Sequence, residues 1–340
     1  MPIPSSGFDL STLPIRQAIA TWHEGINVVS EARLHQAPEA RLAIRAQGFH
    51  FGDAALGTLE TVPQDFKRSR ARIGRDGIDS YTLHFFTRGH WGLYGGGSDQ
   101  HVQPGDLLAV DQSEPYAAFM SAPATRYVAL FVPRRLLAPL LKTPDDHNVR
   151  VIRSAAPLVS LLRHHLLTLY DELPNMSLAE ARAVLRPTLE LAAATLNGSV
   201  GEENARAVNG ALAERIRRYI DDRILEPALS VEIIAAAFGI STRTLYHHFE
   251  PHGGVVAYMQ RKRLRLAQTA ITDPANRHRN IQDIAEEFGF LHRKNFISAF
   301  RREFGVTPRE ARAFASEGRP NGFAEPGTGR TVWDWIRDLR

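Results

Sequence analysis

The chain has 340 residues, 44% hydrophobic and 23% charged, with a formal charge of +4 and no cysteine. That length suits two ordinary domains, and the composition is that of a globular protein with a core to bury. The missing cysteines exclude disulfides, thiol nucleophiles and thiolate metal sites, while the lack of an apolar span or a basic-then-apolar leader argues against a membrane partner and predicts a cytoplasmic location.

From about Leu42 to Val132 the pattern is short. "RLAIRAQGF", "DSYTLHFFTRG", "HWGLYGGG", "HVQPGDLLAVDQ" and "TRYVALFVP" are apolar or β-branched runs broken by Gly, Pro or Asp. Such spacing predicts an antiparallel sandwich or barrel. The Pro-Gly-Asp of the fourth run predicts a tight corner. His84, His90 and His101 lie in this region without a closely spaced His-x-His, so no metal and no other cofactor is expected. There is no G-x-S-x-G elbow. The glycines of 92–99 follow no strand-to-helix pattern and lack a P-loop Lys, which predicts a hairpin loop. No catalytic residue is assigned. Trp91 and Tyr94 are candidates for lining a small-molecule pocket.

Beyond Pro133 the apolar residues step by three and four, predicting amphipathic helices over about 134–197. Ser177 and Glu180 have the spacing of a capping box. Leu158, Leu161, Leu162, Leu166 and Leu169 form one stripe, available to the strands or to a second copy of the chain. Polar, glycine-bearing residues 197–210 predict a linker, assigned to 201–211. A second linker with four Gly and two Pro covers 318–330, and "TVWDWIRDLR" after it predicts one short helix with Trp333 and Ile336 on one side.

Between the linkers lies an internal repeat. "SVEIIAAAFGISTRTLYHHF" (230–249) and "NIQDIAEEFGFLHRKNFISAF" (280–300) share a polar cap, an apolar pair, Phe-Gly, and apolar residues four apart. Gly239 and Gly289 occupy the turn, where a residue without Cβ takes positive φ. Leu245 with Phe249, and Phe296 with Phe300 and Phe304, mark the buried side of each second helix. Thr242, Arg243, Tyr246 and His247, and Arg293, Lys294, Ile297 and Ser298, are left on the other side with Arg301 and Arg302 beyond. That is the layout of two helix-turn-helix motifs, each with a helix for the major groove. Residues 211–319 hold 18 Lys+Arg against 13 Asp+Glu, and the remainder 23 against 24, so the positive excess lies where a polyanion is expected.

At these residues the chain resembles the AraC/XylS family of bacterial transcription regulators, in "RTLYHHF", "RLRLAQTAITDPANRH", "IQDIAEEFGF" and "NFISAFRREFGVTPREAR". The resemblance implies an all-α domain over 212–316 in which two helix-turn-helix subdomains, joined by the helix of 255–272, read promoter DNA and activate transcription with RNA polymerase. By position it assigns base contacts to Arg243, Tyr246, His247, Arg293, Lys294 and Ser298. Thr242 lies beside the first set, and Arg302 is expected at phosphate. Three positions depart from the family pattern: Gly254-Val255 after the first recognition helix, His292 at a cap, and Ala311 in place of an aromatic. "QPGDLLAVD" and "YVALFVPRRLL" resemble the cupin-like sensor domain of a subset of the family. This implies an α+β chain in which residues 1–200 hold an unknown small-molecule effector and pair two copies as a homodimer, with 317–340 as linker and tail. Two alternatives stay open: a cupin-type metal enzyme with an accessory DNA-binding domain, and a non-specific architectural DNA binder.

Overall fold

The computed structural model describes residues 3–36, 40–94, 101–203, 207–316 and 332–338. It divides into two compact units, one comprising Met1–Ile73, Ile78–Ser199 and Gly318–Arg340, the other Gly74–Gly77 and Val200–Glu317.

The first unit runs β1 (Ser5–Asp9), α1 (Ile15–Ile26), β2 (Glu31–Leu34), β3 (Arg45–Phe51), β4 (Ala54–Thr61) and β5 (Gln64–Arg68). After α2 (Arg70–Asp76) come β6 (Ser80–Arg88), β7 (Gly92–Leu93), β8 (Leu107–Asp111), β9 (Tyr116–Met120), β10 (Thr125–Pro133), α3 (Arg134–Leu137), β11 (Arg150–Ile152), α4 (Pro157–Glu172) and α5 (Leu178–Glu203). The strands form a seven-stranded sheet, β1-β3-β4-β10-β6-β8-β11, and a four-stranded sheet, β2-β5-β9-β7. Among the described residues no ladder joins the two, so the expected barrel is replaced by two antiparallel sheets. The strand rule saw runs of the right length but not which edges meet.

Period-2 alternation gives the large sheet two buried faces. Tyr81, Leu83 and Phe85 of β6 and Val128, Leu130 and Val132 of β10 join a core with Leu162, Leu166 and Leu169 of α4 and Leu189 and Leu196 of α5. The residues between them, His84, Phe86, Tyr127 and Phe131, point the other way, with Phe66, Ala118 and Met120 of the small sheet. Burial on both faces accounts for runs as continuous as "YVALFV". Gly105 turns the Pro-Gly-Asp corner at φ +93°. At the foot of β10 the Arg134 guanidinium is mostly buried, bonding Asp79 at 2.8 Å, the Tyr81 hydroxyl at 2.7 Å, and Asp111.

Several expectations change here. β1 and β2 precede the expected strand region, and β11 falls within the expected helical one. The capping box is present: Ser177 N–H donates to Glu180 Oε2 at 2.8 Å and Glu180 N–H to Ser177 Oγ at 3.3 Å. The leucine stripe of α4 splits. Leu162, Leu166 and Leu169 are buried with Val159, whereas Leu158 and Leu161 are 36% and 58% exposed. The expected linker of 197–210 is helical on both sides of residues 204–206, which lie outside the described residues. Its glycines cost a helix only about 1 kcal/mol each and no Pro intervenes. The 318–330 linker lies outside the described residues. The helix expected after it is α13.

The second unit is helical: α6 (Ala207–Arg223), α7 (Val231–Ala237), α8 (Thr242–His248), α9 (Val255–Thr272), α10 (Ile281–Glu287), α11 (Arg293–Phe304) and α12 (Pro308–Ser316). Ile216, Ile220, Ile234, Leu245, Phe249 and Tyr258 fill the core around the first helix pair. The last element, α13 (Val332–Asp338), belongs to the first unit.

Candidate nucleic-acid interface and buried cavity

Each repeat folds as a helix pair with its start set by a side-chain cap. Ser230 Oγ accepts from Ile233 N–H at 3.3 Å to begin α7, and Ser241 Oγ accepts from Thr244 N–H at 3.1 Å to begin α8. Asn280 Oδ1 accepts from Gln282 N–H at 3.0 Å to begin α10, while His292 begins α11 with no side-chain cap. The turns pass through Gly239 at φ +62° and Gly289 at +84°. At Gly239 a Cβ would meet open space, so backbone conformation alone asks for glycine there. Gly254, one of the family departures, stands at φ +97°, which a Ser, Thr or Pro would not adopt without strain.

The buried and exposed sides separate as the spacing implies. Leu245 and Phe249 are buried under α8, and Phe296, Phe300 and Phe304 form a continuous seam under α11, with successive ring centroids 5.5 and 4.7 Å apart. Gly305 then stops α11 in the left-handed region, its N–H donating to Arg301 O at 2.8 Å. Thr242, Arg243, Tyr246, His247, Arg293, Lys294, Ser298 and Arg302 are all exposed. Among the described residues, the side chains of Arg243, Arg293 and Lys294 form no hydrogen bond or ion pair. His247 lies 3.5 Å from Glu250, and Arg302 donates to Gln260 Oε1 at 3.5 Å.

The basic cluster of α9 has a different use. Lys262 Nζ lies 3.0 Å from Asp221 Oδ2, Arg263 Nε donates to Ile224 O at 2.9 Å, and Arg261 Nε lies 3.8 Å from Glu303 Oε1. These side chains bind α9 to α6, to the residue after it, and to α11, so the helix between the pairs is tied to both.

In the first unit a cavity of about 100 Å³ lies between the two sheets. Its walls include Phe66, Phe86, Trp91, Leu108, Met120 and Phe131, with His84, Gln112 and Tyr127 as polar members. Trp91, a sequence candidate, is buried and lines it. Tyr94, the other, is 54% exposed and stands outside, its hydroxyl donating to Asp65 Oδ1 at 2.6 Å. Burial pushes the His84 ring down to about 4, so it is neutral, and raises the Tyr127 hydroxyl. His90 bonds Ser121 Oγ at 2.7 Å and the His101 ring packs on Phe119, so these three histidines have separate surroundings. The cavity residues were legible only in part. Once β6 and β10 are aligned, alternation puts His84 and Tyr127 on one face, but the sequence does not display that alignment.

Comparison with known proteins adds the following. A family model described as an AraC-binding-like domain matches residues 26–197, and one described as a helix-turn-helix domain matches 234–313. The XylDLEGF operon transcriptional activator of Pseudomonas putida is 26% identical over 259 residues, 70% of this chain and 77% of that protein. The transcriptional activator NphR of a Rhodococcus species is 26% identical over 279 residues, covering 80% and 82%. Among solved structures, the AraC-like transcriptional activator CuxR superposes with a TM-score of 0.52 at 23% identity, over 77% of this chain and 94% of that one. That likeness shows the fold.

Proposed function

The chain belongs to the AraC/XylS family of transcription regulators, and from that premise we propose that it activates transcription by placing α8 and α11 in successive major grooves of promoter DNA, under control of a small-molecule effector. The observation carrying the reading is that eight candidate side chains are exposed on two helices whose opposite sides are locked into a core. Rigid support lets a helix discriminate bases, because a misplaced hydrogen bond is not rescued by repacking.

In this reading each helix pair works as a helix-turn-helix within a DNA-binding domain of about 212–316. Arg243, Tyr246 and His247 of the first copy, and Arg293, Lys294 and Ser298 of the second, face base edges with Thr242 at the rim. Arg302 meets phosphate and positions the domain without specifying sequence. Residues 1–200 form the sensor domain, with the cavity around Trp91 as the effector site. Leu158 and Leu161 of α4 are apolar residues a second copy would cover as a homodimer. RNA polymerase is the further partner, met in the cytoplasm at the promoter. Among the described residues no helix is long and apolar enough to cross a membrane.

The test is selection of duplexes from a random pool by the full chain, followed by binding of the winners against salt. A recovered site with two short sequence blocks about one helical turn apart is the expected result. Equal, steeply salt-dependent binding to every duplex would favour the architectural alternative and overturn the reading.

A further inference from the structure

Seven residues near the end of the chain complete a cavity built mostly from strands far earlier in the sequence. Trp333, Trp335 and Ile336 of α13 are 5%, 2% and 2% exposed. The Trp333 ring lies 6.2 Å from Phe8 and 6.1 Å from Trp22, and the Trp335 ring 5.6 Å from His50. A helix this short is not stable alone; burial of these three side chains against the first unit is what holds it. Trp333 and Ile336 line the cavity, whereas Trp335 does not.

The chemistry of the remaining walls narrows what fits. The lining contains no Lys, Arg, Asp or Glu. Among the described residues, two buried polar atoms on it, His84 Nδ1 and Gln112 Oε1, have no hydrogen-bond partner. Gln112 is oriented by its amide, whose Nε2 donates to Thr82 Oγ1 at 3.0 Å, so the oxygen is the atom left over and it accepts. A carboxylate would make no ion pair in these walls, because the buried Arg68 guanidinium behind them is engaged by the Val29 and Gln112 carbonyl oxygens, and burying a charge without a partner is strongly unfavourable. An O–H or N–H donor on an apolar body would satisfy Gln112 Oε1 and bring no unpaired charge into the cavity. The volume, about 100 Å³, is of the same order as the roughly 150 Å³ of an apolar cavity known to hold benzene, a space matched to a single small ring.

We propose that α13 is a wall of the effector cavity, and that this cavity takes an uncharged molecule of up to one ring that donates a hydrogen bond to Gln112 Oε1. The inference rests on the cavity being the effector site and assigns its ligand class. It also makes Trp333 the residue that sets the size limit, although it follows the DNA-binding unit in the sequence.

The experiment is calorimetric titration of the full chain with phenol, benzyl alcohol, toluene, benzoate and 1-naphthol at neutral pH, for the wild type and for Trp333→Ala, Trp335→Ala and Gln112→Leu. Phenol or benzyl alcohol should bind the wild type at least about tenfold more tightly than benzoate. Trp333→Ala should move the naphthol-to-phenol affinity ratio toward naphthol by about tenfold or more, whereas Trp335→Ala, which removes as large a buried ring outside the cavity, should leave the ratio unchanged. Gln112→Leu should weaken phenol and spare toluene, which keeps the test decisive if Trp333→Ala does not fold. Benzoate binding as tightly as phenol, no binding of either hydroxyl probe, or equal ratios in the two tryptophan variants would each overturn the proposal. A reporter assay separates this from the effector reading: phenol that binds as expected but leaves transcription unchanged would remove the cavity's regulatory role and leave its ligand class standing.

Discussion

The two units place their distinctive side chains in opposite environments. In the first, His84, Gln112 and Tyr127 lie between two sheets, and Arg134 is held by acidic neighbours under the strands. In the second, Arg243, Arg293 and Lys294 stand on exposed helix faces above a core of leucine and phenylalanine. An inward-facing site shares its residues with the core, so changing one disturbs folding and binding together. An outward-facing site sits on a core it does not belong to, and its residues can be changed at little cost in stability.

Four measurements break or sharpen that contrast. The largest effect is expected from Arg134→Ala, which leaves Asp111 buried without its cation and should destabilise the first unit by about 3–5 kcal/mol in chemical denaturation. Acid should act next. Burial holds His84 and His147 down at about 4 in the fold against 6.5 in the unfolded chain. The unfolded state therefore takes up protons first, and stability falls as the pH drops through 6.5 and continues to fall to about 4, by up to about 3 kcal/mol for each ring. Proteolysis or hydrogen exchange across that window should show the first unit opening while the second holds. Arg293→Ala should cost about 1–3 kcal/mol on the selected site and relax specificity at one position, with the melting temperature nearly unchanged, whereas Arg302→Ala should weaken all duplexes alike and reduce the salt slope by about one. The smallest expected change is Ser241→Ala, about 1 kcal/mol of stability through the lost cap of α8. A large loss of stability in Arg293→Ala would erase the distinction between the two environments.

The helix pairs could be read from the sequence because their determinants are local. Caps, turn glycines and the four-residue spacing of Leu245–Phe249 and Phe296–Phe300–Phe304 all act within a few residues, and the repeat shows them twice. The inner strands were legible for the same reason: β6 and β10 are long, apolar and bounded by clear breakers. What could not be read depends on distant partners. β1 gains its status as a strand from pairing with β3, Ser5 opposite Phe49, and β11 from β8, Arg150 opposite Ala109; neither run carries a strong pattern of its own. Leu158 and Leu161 looked equivalent to Leu162 because a helical stripe does not say where the neighbouring sheet ends. Trp91 and Tyr94 are three residues apart and chemically alike, yet only the first turns into the cavity. Trp333 and Ile336 marked one side of a short helix, and nothing in the sequence named the surface that buries it.

The place of α13 also sets an order of events during synthesis. The first unit is left by the chain at Ser199 and regained at Gly318, ahead of α13, so a ribosome must complete the whole helical unit before the cavity's last wall exists. At ordinary elongation rates that interval is on the order of ten seconds. Until then the nascent sensor lacks the Trp333 ring that packs on Phe8 and Trp22, and the cavity wall is complete only once α13 has been made.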